Sequence, residues 1–240
     1  MNILEKVRVE LPYGKGKLTF NVPKKNLLYV GEPRSVEGAP DVAKEILWAL
    51  RNPIKSERIS EIAERGKKVV LICDDYTRAT PTYQIVLAVL HELNQAGIKD
   101  ADIKLLVACG IHRKMTEEEL TKKYGKEVLS KVEVVQHDAS DQNQLEYLGV
   151  TKRGTPVWVD KAVVKSDIKI GIGLVESHPY AGFGGGPKIV AIGAAGKKTI
   201  YYNHLHLAQS PEAWYGKTDS NPCWLDLLEV ARIAGLDMVI

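Results

Sequence analysis

From residue 68 onward the chain repeats one pattern, an apolar run rich in β-branched residues, then a polar loop, then an amphipathic helix. Few folds accept that order. Parallel neighbours need a crossover long enough to bring the chain back to the same end of the sheet, and helices at this spacing supply it. The apolar runs are VVLIC at 69–73, IKLLVAC at 103–109, VEVVQ at 132–136 and IKIGIGL at 168–174. After the first, Thr80 and Pro81 read as the cap and first residue of a helix whose inner face is Ile85, Val89, Leu90 and Leu93, with Gly97 as its stop. Thr116 and Glu119 have capping-box spacing ahead of the next helix.

The part before residue 68 has a different character. Residues 6–22 alternate apolar and polar on both sides of Tyr13-Gly14-Lys15-Gly16, which predicts a β-hairpin with a glycine turn. A Gly/Pro-rich connector leads to a helix over 41–50, with Val42, Ile46, Leu47 and Leu50 on one face, and a second short helix over 59–64. The expected fold is α/β, a mostly parallel Rossmann-like sheet with helices on both faces, preceded by an N-terminal β-hairpin. Less is legible at 137–166, beyond a turn at Arg153-Gly154 and a candidate edge strand at 156–160. His91 and His137 read as surface residues. A last helix spans 224–234, Gly235 stops it, and a strand begins at 236–240 as the chain ends.

Composition narrows the functional classes. With 33 basic and 30 acidic residues well mixed along 240, the net charge of +3 leaves no electrostatic footprint for nucleic acid or a membrane surface. The start, MNILEKVRVE, carries charges where a signal peptide needs an apolar core, so a cytoplasmic protein is expected. Cys73, Cys109 and Cys223 are scattered and lack C-x-x-C pairing, and they read as small core residues in a reducing compartment.

Candidate chemistry gathers in loops that follow the strands: Asp74, Asp75 and Arg78 after the first, His112 and Arg113 after the second, and Glu176, Ser177 and His178 after the run at 168–174. Parallel strands end on one edge, so these loops converge on one crevice. Arg78 has the planar fork for a carboxylate or phosphate, and Asp75 is placed to orient it. His112 and His178 are suited to proton transfer near neutral pH. The glycine cluster at 182–186 leads through Pro187 into a helix start, where Lys188 opposes the helix dipole and reads as a phosphate-binding cation or a covalent amine. His204 and His206, spaced H-x-H, would share one side of a strand and suit a metal. Two nucleotide motifs fail: GFGGGPK and AIGAAGKKT both depart from the Walker A pattern, and Gly171-x-Gly173 lacks the third glycine of a dinucleotide loop.

Taken together in order, DDYTRATP, GIHR, ESHPYAGFGGGPK and the following Asn203-His204 resemble the nickel-dependent lactate racemase family, over about residues 68–206. The resemblance implies a nickel-pincer nucleotide, a nickel pyridinium-3,5-bisthiocarboxylate mononucleotide, joined covalently to Lys188. It implies His204 as the protein ligand to nickel, with His206 as second choice. His112 and His178 become acid and base on opposite faces of a small 2-hydroxy acid, whose hydride passes reversibly to the cofactor. Asp75, Tyr76, Thr77, Arg78, Gly185 and Gly186 join Lys188 in holding cofactor, with Arg78 also on the substrate carboxylate. Residues 1–240 are then expected to be a single N-terminal cofactor-binding domain of a larger two-domain isomerase, truncated near 236–240. A C-terminal domain that closes the site and separate cofactor-synthesis proteins are the implied partners, and the isolated fragment is expected to be inactive. Two readings from other classes stand beside this one, a noncatalytic nucleotide- or metal-binding module and a nucleotide-dependent transferase.

Overall fold

A computed structural model of the chain describes residues 5–32 and 34–240. It forms two compact units, 1–40 and 41–240. In the first, β1 (Lys6–Tyr13) and β2 (Gly16–Pro23) make the expected antiparallel hairpin, with Tyr13 opposite Gly16 and Gly14 at φ +59°. Leu11 faces Leu18 and Val9 faces Phe20, apolar cross-strand pairs that hold the register.

The second unit begins with α1 (Val42–Arg51), capped by the Asp41 carboxylate on the Lys44 amide, and the single turn α2 (Ile59–Ile62). Its centre is β3 (Val69–Asp74), followed by α3 (Thr82–Gln95), β4 (Ile103–Ala108), α4 (Glu117–Lys131) and β5 (Glu133–Gln136). All six residues of β3 are buried, because helices cover both faces of the sheet. Val69, Leu71 and Cys73 point to one side, into a core with Val86, Val89, Leu90 and Leu93 of α3 and Tyr124 and Val128 of α4. Val70 and Ile72 point to the other.

The expected helix signals hold with one exception. Thr116 and Glu119 form the capping box of α4. Thr80 does not cap α3: its hydroxyl donates instead to the Asp74 carboxylate, and α3 starts one residue beyond Pro81. The bond to a buried carboxylate is charge-assisted, and it holds the Thr80 side chain at Asp74. Inside α4, Gly125 adopts φ +76°, and a Cβ there would lie 2.5 Å from the Tyr83 ring, so glycine lets the helix break and close against α3.

Residues 137–166 fold as an antiparallel hairpin, β6 (Leu145–Val150) and β7 (Pro156–Asp160), then the short α5 (Lys161–Val164). The run at 156–160 is therefore a strand, but one that pairs with β6 rather than at the edge of the main sheet. Val157, Val159 and Val163 pack into the second core. His137 is a correction: it is 1% exposed, with Nδ1 2.8 Å from Asp160 Oδ2 and Nε2 donating to the Ala195 carbonyl at 2.9 Å. A His-Asp dipeptide after a strand reads as surface only while its distant acceptors are unknown.

β8 (Ile168–Ile172) returns to the sheet on the other side of β3, and the chain then makes a two-residue pair, β9 (Ser177–His178) and β10 (Gly182–Phe183). The turn α6 (Lys188–Ala191), the short α7 (Lys197–Tyr201) and a π-helical turn at Tyr202–His206 follow. α8 (Pro222–Ile233) is capped by Asn221 and stopped by Gly235, and β11 (Met238–Val239) pairs parallel with β8. The sheet order is β11-β8-β3-β4-β5, all parallel. Successive strands run outward from β3 one way and then the other, so the switch point of the topology lies between β3 and β8. All three cysteines are free and buried, as expected. Among the described residues no helix is long and apolar enough to cross a membrane.

Candidate active site

A cleft of about 270 Å³ opens at the carboxyl ends of β3, β4 and β8, above that switch point. The three predicted loops line it, joined by Gly184, Gly185, Lys188 and His204. Asp74 is the buried anchor of the first loop. Its carboxylate accepts from the Thr80 and Thr82 hydroxyls and the Leu174 amide, and pairs with Lys123 Nζ at 2.9 Å. Lys123 also donates to the Arg78 carbonyl at 2.7 Å, and the Tyr124 hydroxyl donates to the Asp74 carbonyl. Strand exits β3 and β8 and helices α3 and α4 are thus tied to one side chain.

Asp75 is 3% exposed and turns toward His112, not Arg78. Its Oδ2 lies 2.7 Å from His112 Nδ1, and its Oδ1 accepts the Thr77 amide at 3.1 Å. The ring of His112 therefore donates through Nδ1 and leaves Nε2 free. Arg78 pairs instead with Glu176, Nε to Oε1 at 3.0 Å, across two loops. That corrects the expected Asp75–Arg78 pair, since Asp75 is already committed.

On the opposite wall, the Gly184–Gly186 loop lies against the β8 exit. Gly185 has φ +69°, and a Cβ there would meet the Leu174 carbonyl oxygen at 2.6 Å. The close approach seats Lys188 facing the cleft. α6 is a single turn, so the dipole conflict expected for Lys188 has little helix behind it; burial is the larger effect. Burial, then the nearby Arg78 cation, lower the Lys188 amine to about 8, against a smaller opposing pull from Glu176. His178 accepts the Ala181 amide on Nδ1 at 3.2 Å and stacks edge-on against Tyr180, 4.6 Å between centroids. His204 lies 5.6 Å from His178, ring to ring. Burial and the Lys188 charge lower His178 to about 4 and His204 to about 3, so both rings are neutral at physiological pH.

His206 does not join them. The two histidines sit on a helical turn rather than a strand, so their side chains diverge, and His206 stays exposed with its ring 4.8 Å from Tyr202. Tyr76 is also outside the cleft lining, exposed beneath the Arg113 guanidinium at 4.4 Å, and Gly186 faces Trp224. Cys109 lines the cleft, but burial pushes its thiol up to about 12, which makes it no nucleophile. Among the described residues no group of three or more His, Cys, Asp or Glu side chains is placed to hold a metal ion.

The family model for the lactate racemase N-terminal domain matches residues 13–216. The chain belongs to this family. Curated lactate racemases from Thermoanaerobacterium thermosaccharolyticum and Lactiplantibacillus plantarum are 30% identical over 235 residues and 33% identical over 237, covering 97% and 98% of the chain. The chain spans about half the length of these relatives, 55% and 56%. The lactate racemase apoprotein structure from Thermoanaerobacterium thermosaccharolyticum superposes with a TM-score of 0.82 at 30% identity, over 96% of this chain and 54% of that one. A Thermotoga maritima protein matches at TM-score 0.65 and 23% identity, over 83% and 49%, and speaks for the fold alone.

Of the residues named from sequence, the cleft wall holds Asp75, Thr77, Arg78, His112, His178, Gly185, Lys188 and His204 but not Tyr76, Gly186 or His206, and the polar groups behind the wall were missed. Asp74 was visible as half of a DD dipeptide, but its role as a hub for four donors was not. Asp226, fully buried in α8 and accepting from Thr151, Thr155 and Asn203, lies in the middle of a helix pattern and gave no signal at all.

The two depressed histidines have a consequence for stability. Below the usual histidine value of 6.5 the unfolded chain binds protons that the folded rings refuse. Stability is therefore fully present above that value and falls as pH drops toward the folded values. Melts taken from about pH 6.5 to about pH 5 should show a falling midpoint, with a shallower slope in the His178→Gln/His204→Gln double variant. Equal slopes in the two proteins would place the pH sensitivity elsewhere.

Proposed function

We propose that the chain is the N-terminal, cofactor-carrying part of a 2-hydroxy acid racemase or epimerase of the lactate racemase type. The observation that carries the reading is the Lys188 amine, lowered by burial to about 8, in a cleft beside two neutral imidazoles, His178 and His204. A charged lysine is a poor nucleophile, and one lowered to about 8 has a substantial neutral fraction at physiological pH. That donor set fits a covalently held nickel-pincer nucleotide: Lys188 would supply the attachment and His204 would supply one ligand to nickel. When bound, the group supplies the acceptor for the Cα hydride of the substrate.

The chain's own residues do the rest. Arg78, braced by Glu176 through Nε and by Thr77 Oγ1 through Nη1 at 3.2 Å, keeps Nη2 for a substrate carboxylate. His112, its Nδ1–H held by Asp75, presents a bare Nε2 that can take the hydroxyl proton. His178 accepts on Nδ1, so its neutral ring presents Nε2–H to an oxygen. A second domain, supplied by the other half of the protein or by another chain, completes the substrate site and excludes water.

The test is the intact mass and nickel content of the chain made in cells that synthesise the pincer cofactor. The expected result is a mass increase on the polypeptide with nickel bound. An unmodified chain without nickel, produced beside a curated lactate racemase that loads normally, would sink the reading.

A further inference from the structure

Behind His204 lies a run of buried polar groups that the cleft residues do not explain. Asn203 is 1% exposed, and its amide nitrogen donates to the Cys223 carbonyl at 3.1 Å and to Asp226 Oδ2 at 2.9 Å. Both partners are pure acceptors, so the amide has only one orientation that satisfies them. Its oxygen must then face His204, and Oδ1 lies 2.9 Å from His204 Nδ1. An amide oxygen cannot donate. The neutral ring is left with its hydrogen on Nδ1 and a bare lone pair on Nε2.

Asp226 holds this arrangement from behind. It is fully buried and accepts from three donors: Thr151 Oγ1 at 2.7 Å, Thr155 Oγ1 at 2.8 Å and the Asn203 amide. Thr151 Oγ1 itself accepts the Thr155 amide at 3.1 Å, which commits its own hydrogen to Asp226. A buried carboxylate is costly unless such donors meet it, so the loop between β6 and β7, helix α8 and the π-helical turn are locked together at one point. The π-helical turn is where the chain widens to point Asn203 inward and His204 toward the cleft, and such turns gather at functional sites.

We propose that Asn203, oriented by Asp226, is a positioning residue that fixes the tautomer of His204 so that Nε2 faces the cleft as a free lone pair. Its use as a nickel ligand rests on the function proposed above; the tautomer itself does not. A metal-binding histidine typically donates its other ring nitrogen to a fixed acceptor, which sets ring orientation and basicity.

Long-range ¹H–¹⁵N spectra of the ¹⁵N-histidine-labelled chain, without cofactor, read the tautomer directly, and His204→Gln assigns the resonance. The wild-type ring should show a protonated Nδ1 and a bare Nε2. A wild-type ring protonated on Nε2 overturns the proposal, with no variant needed. In Asn203→Ala the population should move toward the Nε2–H form. Thr151→Val removes a donor to Asp226 without touching Asn203; it should lower the melting temperature and leave the tautomer in place. If Thr151→Val moves the tautomer as far as Asn203→Ala, the network is only a structural staple. In the loaded chain, Asn203→Ala should weaken nickel retention against a chelator by about 10–100-fold. The predicted tautomer without nickel in any loaded sample would keep the positioning role and fail the racemase reading instead.

Discussion

Lys188→Ala should abolish the mass adduct completely while the protein still folds. The covalent bond proposed above needs a primary amine at this point in the cleft, and among the described residues Lys188 is the one lysine that lines it. An ordinary lysine at 10.5 is almost wholly charged near neutrality, whereas at about 8 roughly a tenth or more of the side chain is neutral and free to attack. Lys188→Arg should fail as completely, because guanidinium stays charged at every accessible pH. Stability points the other way. The folded state holds Lys188 less protonated than the unfolded chain does, so its buried charge opposes folding below the folded value, and stability rises with pH from about 8 toward 10.5. Removing the charge offsets the packing lost with the side-chain stem, and the melting temperature of Lys188→Ala should stay close to wild type. Mass spectrometry and a thermal melt on the same sample separate the two effects. An adduct that survives in Lys188→Ala would move the attachment to another residue.

His112→Asn and His178→Asn should each lower racemisation by about 10²–10⁴-fold, the usual worth of a positioned proton carrier, or about 3–5 kcal/mol of barrier. The measurement uses the chain completed by the second half of a lactate racemase, with pure enantiomers as substrates. Loading should be unchanged, since neither histidine holds the attachment. The two directions carry a further constraint. Enantiomers have equal free energy, so kcat/KM must fall equally for both, whichever histidine is removed. Any preference of one histidine for one enantiomer can therefore show only in kcat and KM taken separately. Asp75→Asn should act through His112, because an amide in place of the carboxylate no longer stabilises the imidazolium that forms when Nε2 takes a proton. A histidine variant that keeps more than a tenth of the activity leaves the proton path without that residue.

The main framework was legible because it is local. Strands β3, β4, β5 and β8 follow from short β-branched runs, and the inner face of α3 follows from helical spacing. Parallel strands then force their loops to one edge, so that His112, His178, Arg78 and Lys188 could be grouped before any coordinates. Motif order carried the family as well. The 137–166 region resisted because its hairpin, β6 and β7, has a register shift between Tyr147 and Gly149 that breaks simple alternation.

Pairing was decided elsewhere. Which acceptor Asp75 serves, His112 or Arg78, depends on how two loops face each other, and both partners satisfy the same chemistry on paper. His137 became a core residue only because Asp160 and the Ala195 carbonyl come to meet it. His204 was separated from His206 by the direction of a single π-helical turn, with Asp226 fixing the result through Asn203, 23 residues away. Residue type and period determine what a side chain can do and which element carries it. The strength of a hydrogen bond or a charge pair depends on distance and burial, and those exist only once segments far apart in the chain are packed together.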